Sequence, residues 1–357
     1  MKRMLALLLA LVMVLGLAAC SKPEPEATEP TVPPTQAPTE PVRKTIHVLL
    51  PEALEAQSME LANLVVAEDT DTNLVTVANA EEQMQLLTDL ASQDKGDGNT
   101  AVVTLPMASD MDAVFAQLLD ANVSYALAET IPAGAEAASV ANVYYNQYEI
   151  GASVAAYLTA QGLTQKDKVI ILQGITEEEA QRTEGFRLYL QGKMEVDGAV
   201  IENAWTSLEN IVYSEMQGTT MESAESYFES YLSESDHAST KFIASWEDHY
   251  ALGVLEALEG ENIGSSNKSK FLEGKPYLAS CGGSEEMLAV LKGTSQYTNA
   301  PSFGEIRTVH YSGELLKIAA EAMAAHLAGN VVEQDQPQSV TWITAETAGQ
   351  YQTSMEG

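Results

Sequence analysis

FIASWEDHYALGVLEAL, residues 242–258, changes character twice within one short stretch. Phe242 to Ser245 is a short apolar run of strand length. From His249 onward, Ala251, Leu252, Leu255 and Leu258 recur at helical spacing. Between the two lie Trp246, Glu247, Asp248, His249 and Tyr250. A strand, a polar turn and a helix make half of a βαβ unit. The polar turn admits three readings: a catalytic or metal site, the rim of a binding cleft, or a helix cap.

The same unit recurs along the chain. Upstream, candidate strands are TIHVLL (45–50), NLVTVA (73–78), TAVVTL (100–105) and SYALAE (124–129). Amphipathic helical stretches separate them, at 81–94 and 111–121. A short strand and long helix follow within 141–163, and the pattern restarts. KVIILQ (168–173), AVIENAW (199–205), TKFIASW (240–246) and YLASC (277–281) are the next strands, with helices over 176–193 and 249–260. Strands alternating with helices imply parallel sheets covered on both faces. The expected fold is therefore α/β, with two Rossmann-like lobes. EIRTVH (305–310), a helix at 313–329 and SVTWIT (339–344) are too few for a third lobe. They read as returns of the chain across the lobe boundary, which makes a multi-strand hinge. A ligand belongs in the cleft between two such lobes, beyond the C-terminal ends of the strands.

Charge narrows the partners. The 357 residues carry 51 acids against 18 bases, a formal charge of -33. Such a surface repels nucleic acid and anionic lipid headgroups. The cysteines are Cys20 and Cys281, too few for a disulfide framework or a zinc cluster. His47, His237, His249, His310 and His326 are scattered, without HExxH spacing. A GxSxG nucleophile turn and a phosphate loop are also missing. QDKGDGN (93–99) reads as a surface turn rather than a calcium loop. Neither an enzyme, a metal nor a cofactor is expected.

The N-terminus reads as an address. MKRMLALLLALVMVLGLAAC has a basic start and an apolar core too short for a comfortable membrane span of about 20 residues. Its end, Leu17-Ala18-Ala19-Cys20, resembles the lipobox of bacterial lipoproteins, which implies lipidation of Cys20. Residues 21–44 hold seven prolines and few large apolar side chains. Extended at about 3.1 Å per residue, they reach up to about 70 Å, as a tether would.

The folded part, over about residues 45–350, resembles the type I periplasmic-binding proteins of ABC importers, in the ribose/galactose-type branch. Five segments carry the resemblance in order: LPMASDMDAVFAQLLDANVSYALAET, VYYNQYEIGASVAAYL, VIILQGITEEEAQRTEGF, FIASWEDHYALGVLEAL and SCGGSEEMLAVLKG. The resemblance implies ligand-binding positions at Glu129, Arg182, Trp246, Glu247, Asp248, Cys281 and Tyr311. It implies hinge positions at Tyr145, Asn146, Gln147 and His310. Within the fourth segment, Trp246 and Glu247 are expected to face the cleft and Asp248 to cap the helix, with His249 a bystander. For Arg182, surface pairing on a helix rich in Glu177, Glu178 and Glu179 is the alternative, and its place before Gly185-Phe186 favours the cleft. Two departures stand out. LLPEALEAQSME lacks the stacking aromatics that sugar binders show after the first strand, and Cys281 replaces a cleft aspartate. Trp205, Trp246, Tyr144 and Tyr145 are candidates to replace the missing stacking faces.

The resemblance implies an organisation. Residues 1–19 form a signal peptide, and 20–44 the lipidated cysteine and tether. Residues 45–145 plus about 310–336 form one lobe, and 146–309 plus about 337–357 the other. The implied function is a monomeric, lipid-anchored extracytoplasmic protein that delivers a sugar or nucleoside to an ABC permease. The alternative is a tethered sensor or interaction lipoprotein whose cleft has degenerated.

Overall fold

A computed structural model describes residues 43–52, 70–93, 96, 98–214, 216, 218–310 and 314–351. Cys20, the signal segment, most of the tether and Tyr311 lie outside the described residues. In chain order the first elements are β1 (Lys44–Pro51), β2 (Thr70–Val77), α1 (Ala80–Gln93), β3 (Thr100–Thr104), α2 (Asp112–Asp120), β4 (Ser124–Ala128) and β5 (Asn142–Tyr145). Then come α3 (Gln147–Ala160), β6 (Val169–Leu172), α4 (Glu177–Leu190), β7 (Ile211–Tyr213), α5 (Met221–Ser233), β8 (Phe242–Ser245), α6 (Asp248–Glu259), α7 (Ser265–Glu273), β9 (Tyr277–Gly282), α8 (Glu285–Leu291) and β10 (Glu305–His310). The chain closes with α9 (Leu315–Leu327), β11 (Asp335–Gln338) and β12 (Thr341–Ile343).

The strands form two six-stranded sheets. The first runs β2-β1-β3-β4-β5-β11 and is parallel throughout. The second runs β7-β6-β8-β9-β10-β12 and is parallel except for β12. Both sheets share one doubly wound order, closed by a late edge strand. In each, the order reverses beside the founding strand, at β1/β3 and at β6/β8. A crevice opens at such a switch point, beyond the C-terminal strand ends.

The central strands are apolar at nearly every position because helices cover both faces. Val169–Leu172 and Phe242–Ser245 are wholly buried. One apolar cluster runs from Ile46, Val103 and Ala126 through Tyr145 and Ile150 to Val169, Phe186 and Ala244, so a continuous core links the two sheets. The chain passes between the sheets three times: from β5 to α3, from β10 to α9, and from β11 to β12.

The structure corrects several local expectations. Residues 199–205 are not a strand. Val200 is exposed while Trp205 turns inward, its amide donating to the Leu190 carbonyl at 2.7 Å. This segment is an irregular cover with one buried anchor, and β7, only three residues long, takes the sheet edge beside β6. Helices α5 and α7 went unread because polar and aromatic residues dominate them. Strand β11 went unread because DQPQ is polar and contains Pro337, which an edge strand tolerates.

Candidate functional site

The second sheet's switch point is built by α3 and α4. Asn146 caps α3, its Oδ1 accepting from the amides of Tyr148 and Glu149. Thr176 and Glu179 form a reciprocal capping box at the start of α4. The two helices cross so closely that glycine is required on both. A Cβ at Gly151 would stand 1.8 Å from the Arg182 carbonyl oxygen, and one at Gly185 would stand 2.0 Å from that of Tyr148. This crossing sets the height of Arg182 above the strand ends.

Arg182 is 5% exposed and points inward. Its Nε donates to Gln147 Oε1 at 2.7 Å, and its Nη1 donates to Glu247 Oε1 at 2.9 Å and to the Trp246 carbonyl. It therefore ties the first residue of α3, just past a lobe crossing, to the end of β8. Burial pushes the Glu247 carboxyl up to about 7, against the opposing pull of Arg182; Glu179 and Asp248 add smaller upward pushes.

Three expected ligand positions face inward. Trp246 is fully buried, edge-on to Phe186, with its indole Nε1 donating to Thr183 Oγ1 at 2.7 Å. It was expected to face the cleft, but only its carbonyl serves the site. Cys281 on β9 is fully buried, a small side chain in the core between sheet and helix. Asp248 is the first residue of α6, and Glu247 holds the N-cap position without a side-chain capping bond. The Asp248 carboxylate instead accepts from Ser280 Oγ at 2.5 Å, Thr308 Oγ1 at 2.7 Å and the Ser284 amide at 2.7 Å. It welds β9, β10 and α8 together, which corrects the expected helix cap. His249 contacts the Thr219 carbonyl at 3.0 Å, away from these groups.

The hinge candidates sit at the crossings. Tyr145 ends β5, Asn146 and Gln147 open α3, and His310 ends β10. Burial holds the His310 ring below its usual pKa, with Asp248 pulling the other way. Its Nδ1 is buried without a hydrogen-bond partner among the described residues.

Glu129 and Gln147 border a cleft of about 560 Å³ that draws its walls from both lobes. Ser109, Glu129, Thr130, Glu136, Tyr144, Tyr145 and Asp335 come from the first lobe, and Gln147, Glu177, Glu178 and Gln181 from the second. Glu129 takes a left-handed backbone, φ 64°, one residue past β4. Few non-glycine residues adopt that conformation, and such strain gathers at functional sites. Burial raises the Glu129 carboxyl pKa, the charge of Glu178 raises it further, and Arg182 opposes both. Sequence reasoning missed Glu136, Glu177, Glu178, Gln181 and Asp335 as lining residues. Only the triple glutamate at 177–179 was visible, and a solvated helix start accounts for it equally well.

Two other features lie elsewhere. A hollow of about 690 Å³ sits below the second sheet, among Leu163, Tyr189, Val200, Ile201 and Trp205, at the end opposite the strand C-termini. Its lining comes from the second lobe alone, whereas the smaller cleft is bordered by both lobes and is the better ligand site. Glu234, Asp236 and His237 bring three possible metal-ligand atoms within 4.8 Å just past α5. Lys168 already pairs with Asp236 at 3.5 Å, and the His237 ring stacks on Tyr231.

Two doubly wound lobes, three chain crossings and a cleft between them define a bilobal ligand-binding protein. The chain belongs to the family of the periplasmic binding protein domain, whose model matches residues 57–330. The fold is that of the type I periplasmic-binding proteins, and the family implies a location outside the cytoplasm. A periplasmic ribose ABC transporter protein from Conexibacter woesei superposes with a TM-score of 0.65 at 17% identity, over 86% of this chain and 94% of that one. A solute-binding protein from Bacillus halodurans with bound myo-inositol superposes with a TM-score of 0.56 at 18% identity, over 87% and 98%. One from Actinobacillus succinogenes with bound D-allose gives 0.57 at 18% identity, over 87% and 100%. Comparison with curated proteins by sequence finds no match.

Proposed function

We propose that this protein is a non-enzymatic solute-binding lipoprotein that captures a small polar ligand of the sugar class between its lobes and delivers it to an ABC importer. The carrying observation is the 560 Å³ cleft, which takes its walls from both lobes, running from the end of β4 and along β5 and the start of β11 to the first turns of α3 and α4. Its volume suits a small ligand, and its lining is rich in carboxylates and amides that accept from hydroxyl groups. Glu129 and Gln147 are the direct contacts in this reading. Arg182, Glu247 and Asp248 position the second wall, and Tyr145, Asn146 and His310 serve the hinge. Solved structures of the same fold hold D-allose and myo-inositol, which supports a polyhydroxylated ligand. Closure around the ligand shifts the population toward the form an importer reads. Cys20 carries the lipid anchor and residues 21–44 the tether.

Mass spectrometry of small molecules released from the purified protein tests the reading. Recovery of a stoichiometric polar solute, lost in Glu129→Ala, is the expected outcome. A cleft that stays empty across a broad solute panel overturns it. That result would favour a tethered sensor, a second reading supported by the burial of Trp246 and Cys281 at expected contact positions.

A further inference from the structure

We infer that Gln147 determines specificity in the cleft: its side-chain amide is locked as a donor, and the ligand seats an acceptor-only atom against it, the ring oxygen of a cyclic sugar. The inference rests on the proposed solute-binding role and names how that site orients its ligand.

The lock follows from which atoms can donate. Arg182 Nε donates to the Gln147 side chain at 2.7 Å. A guanidinium N–H needs an acceptor, so the atom facing it is the amide oxygen, Oε1. Arg182 is 5% exposed and its Nη1 donates to Glu247 Oε1 at 2.9 Å, which holds the guanidinium in place. Gln147 also borders the cleft. With its oxygen engaged, the amide can present only its nitrogen and two hydrogens there. An unrestrained glutamine flips to suit either kind of partner. A flip here would set an NH2 group against a guanidinium N–H and lose a charge-assisted bond.

The other amides of the lining are engaged differently. Gln334 Nε2 donates to the carbonyls of Glu136 at 3.1 Å and Ser139 at 2.7 Å, which uses both hydrogens and leaves it an oxygen. Asn142 donates to the Glu136 carbonyl at 3.0 Å and accepts from Ser139 Oγ at 2.7 Å. Gln181 Nε2 turns along its own helix to Glu177 Oε1 at 3.5 Å. The hydroxyls of Ser109 and Thr130 either donate or accept, so they discriminate little. On the facing lobe, an ionised Glu129 only accepts.

A ligand hydroxyl can sit against any of these groups. A ring oxygen cannot, because it only accepts: a carboxylate repels it and a fixed donor matches it. With the ring oxygen against Gln147 and hydroxyls toward Glu129, each polar atom meets its complement. A ligand with carbon at the ring-oxygen position leaves the Gln147 hydrogens unpaired, and a site built to hydrogen-bond rejects an analogue that lacks the partner atom.

Calorimetric titration of the full-length chain in detergent tests this. The probes are D-ribose, D-allose, D-glucose and D-galactose, each beside its carba analogue, in which a methylene replaces the ring oxygen. In the parent, the sugar that binds is expected to bind at least about fivefold tighter than its carba analogue. Gln147→Met should weaken the sugar and bring that ratio close to one. Gln147→Glu keeps an acceptor for Arg182 but turns a second acceptor toward the cleft. It should lose the sugar at least about tenfold with thermal unfolding unchanged. A carba analogue that binds as well as its sugar overturns the inference, and so does a ratio that survives Gln147→Met. Both results leave the solute-binding reading standing. No binding by any probe overturns both.

Discussion

Arg182 shows how a buried ion pair can organise the wall of a site. Its guanidinium joins Gln147, Trp246 and Glu247, and the pair side chains are 7% and 32% exposed. Replacing it with methionine strands three acceptors, and breaking a buried pair costs about 3–5 kcal/mol. Urea unfolding of Arg182→Met should show a loss of that size. Asp248→Asn is a milder probe, since an amide oxygen at the Oδ1 position still accepts from both hydroxyls and only the Ser284 amide loses its acceptor. Asp248→Ala leaves Ser280, Thr308 and the Ser284 amide unsatisfied and should cost about 3 kcal/mol. Glu247 carries a pH signature. Its folded pKa of about 7 lies above the ordinary 4.5, so the folded state binds the proton more tightly than the unfolded one. The associated stability is complete below pH 4.5 and is lost as pH rises through about 7. Glu247→Gln removes that slope, so subtracting its unfolding profile from that of the parent should isolate a decline between pH 4.5 and 7. A flat difference would show that Glu247 ionises normally.

At the scale of elements, the α3–α4 crossing matters most. Gly151 and Gly185 each face the partner helix's backbone at a distance no Cβ can share. Alanine at either position must push the helices apart, and overpacking of this kind costs at least about 3 kcal/mol against a backbone that cannot yield locally. Because α4 carries Glu178 and Arg182, Gly185→Ala should also weaken ligand binding severalfold in calorimetry. A variant that unfolds as the parent does would mean the helices are not this close. The elements were unequally legible. Phe242–Ser245 announced itself as a short apolar run and Leu315–Leu327 through apolar residues at helical spacing, whereas Ala199–Trp205 has comparable apolar weight and forms no strand. There the sheet edge was already taken by Ile211–Tyr213, and backbone pairing depends on an available partner, which a local pattern does not encode.

At the scale of the whole molecule, the cleft couples binding to shape. A ligand held between Glu129 and Gln147 should draw the lobes together, and X-ray scattering should record a smaller radius of gyration on saturation. An unchanged radius would show that binding does not close the cleft. The proposed anchor belongs to this scale too. Cys20→Ser should abolish metabolic labelling with an alkynyl fatty acid and release the protein from the membrane, because the acyl chains supply the binding free energy.

For this protein, periodicity alone determined the alternation of strand and helix, hence two doubly wound lobes, because side-chain pattern reflects which faces are buried. Motif order marked Glu129, Arg182, Glu247 and the hinge residues as a group. Tertiary structure decided what each of them does. It turned Trp246 and Cys281 into the core, gave Asp248 to the joint between β9, β10 and α8, and tied Arg182 to Gln147, Trp246 and Glu247. It also brought Glu136, Glu177, Glu178 and Asp335 to the cleft from distant parts of the chain. Direction of a side chain and the company it keeps arise from packing between elements far apart in sequence, and no local pattern records them.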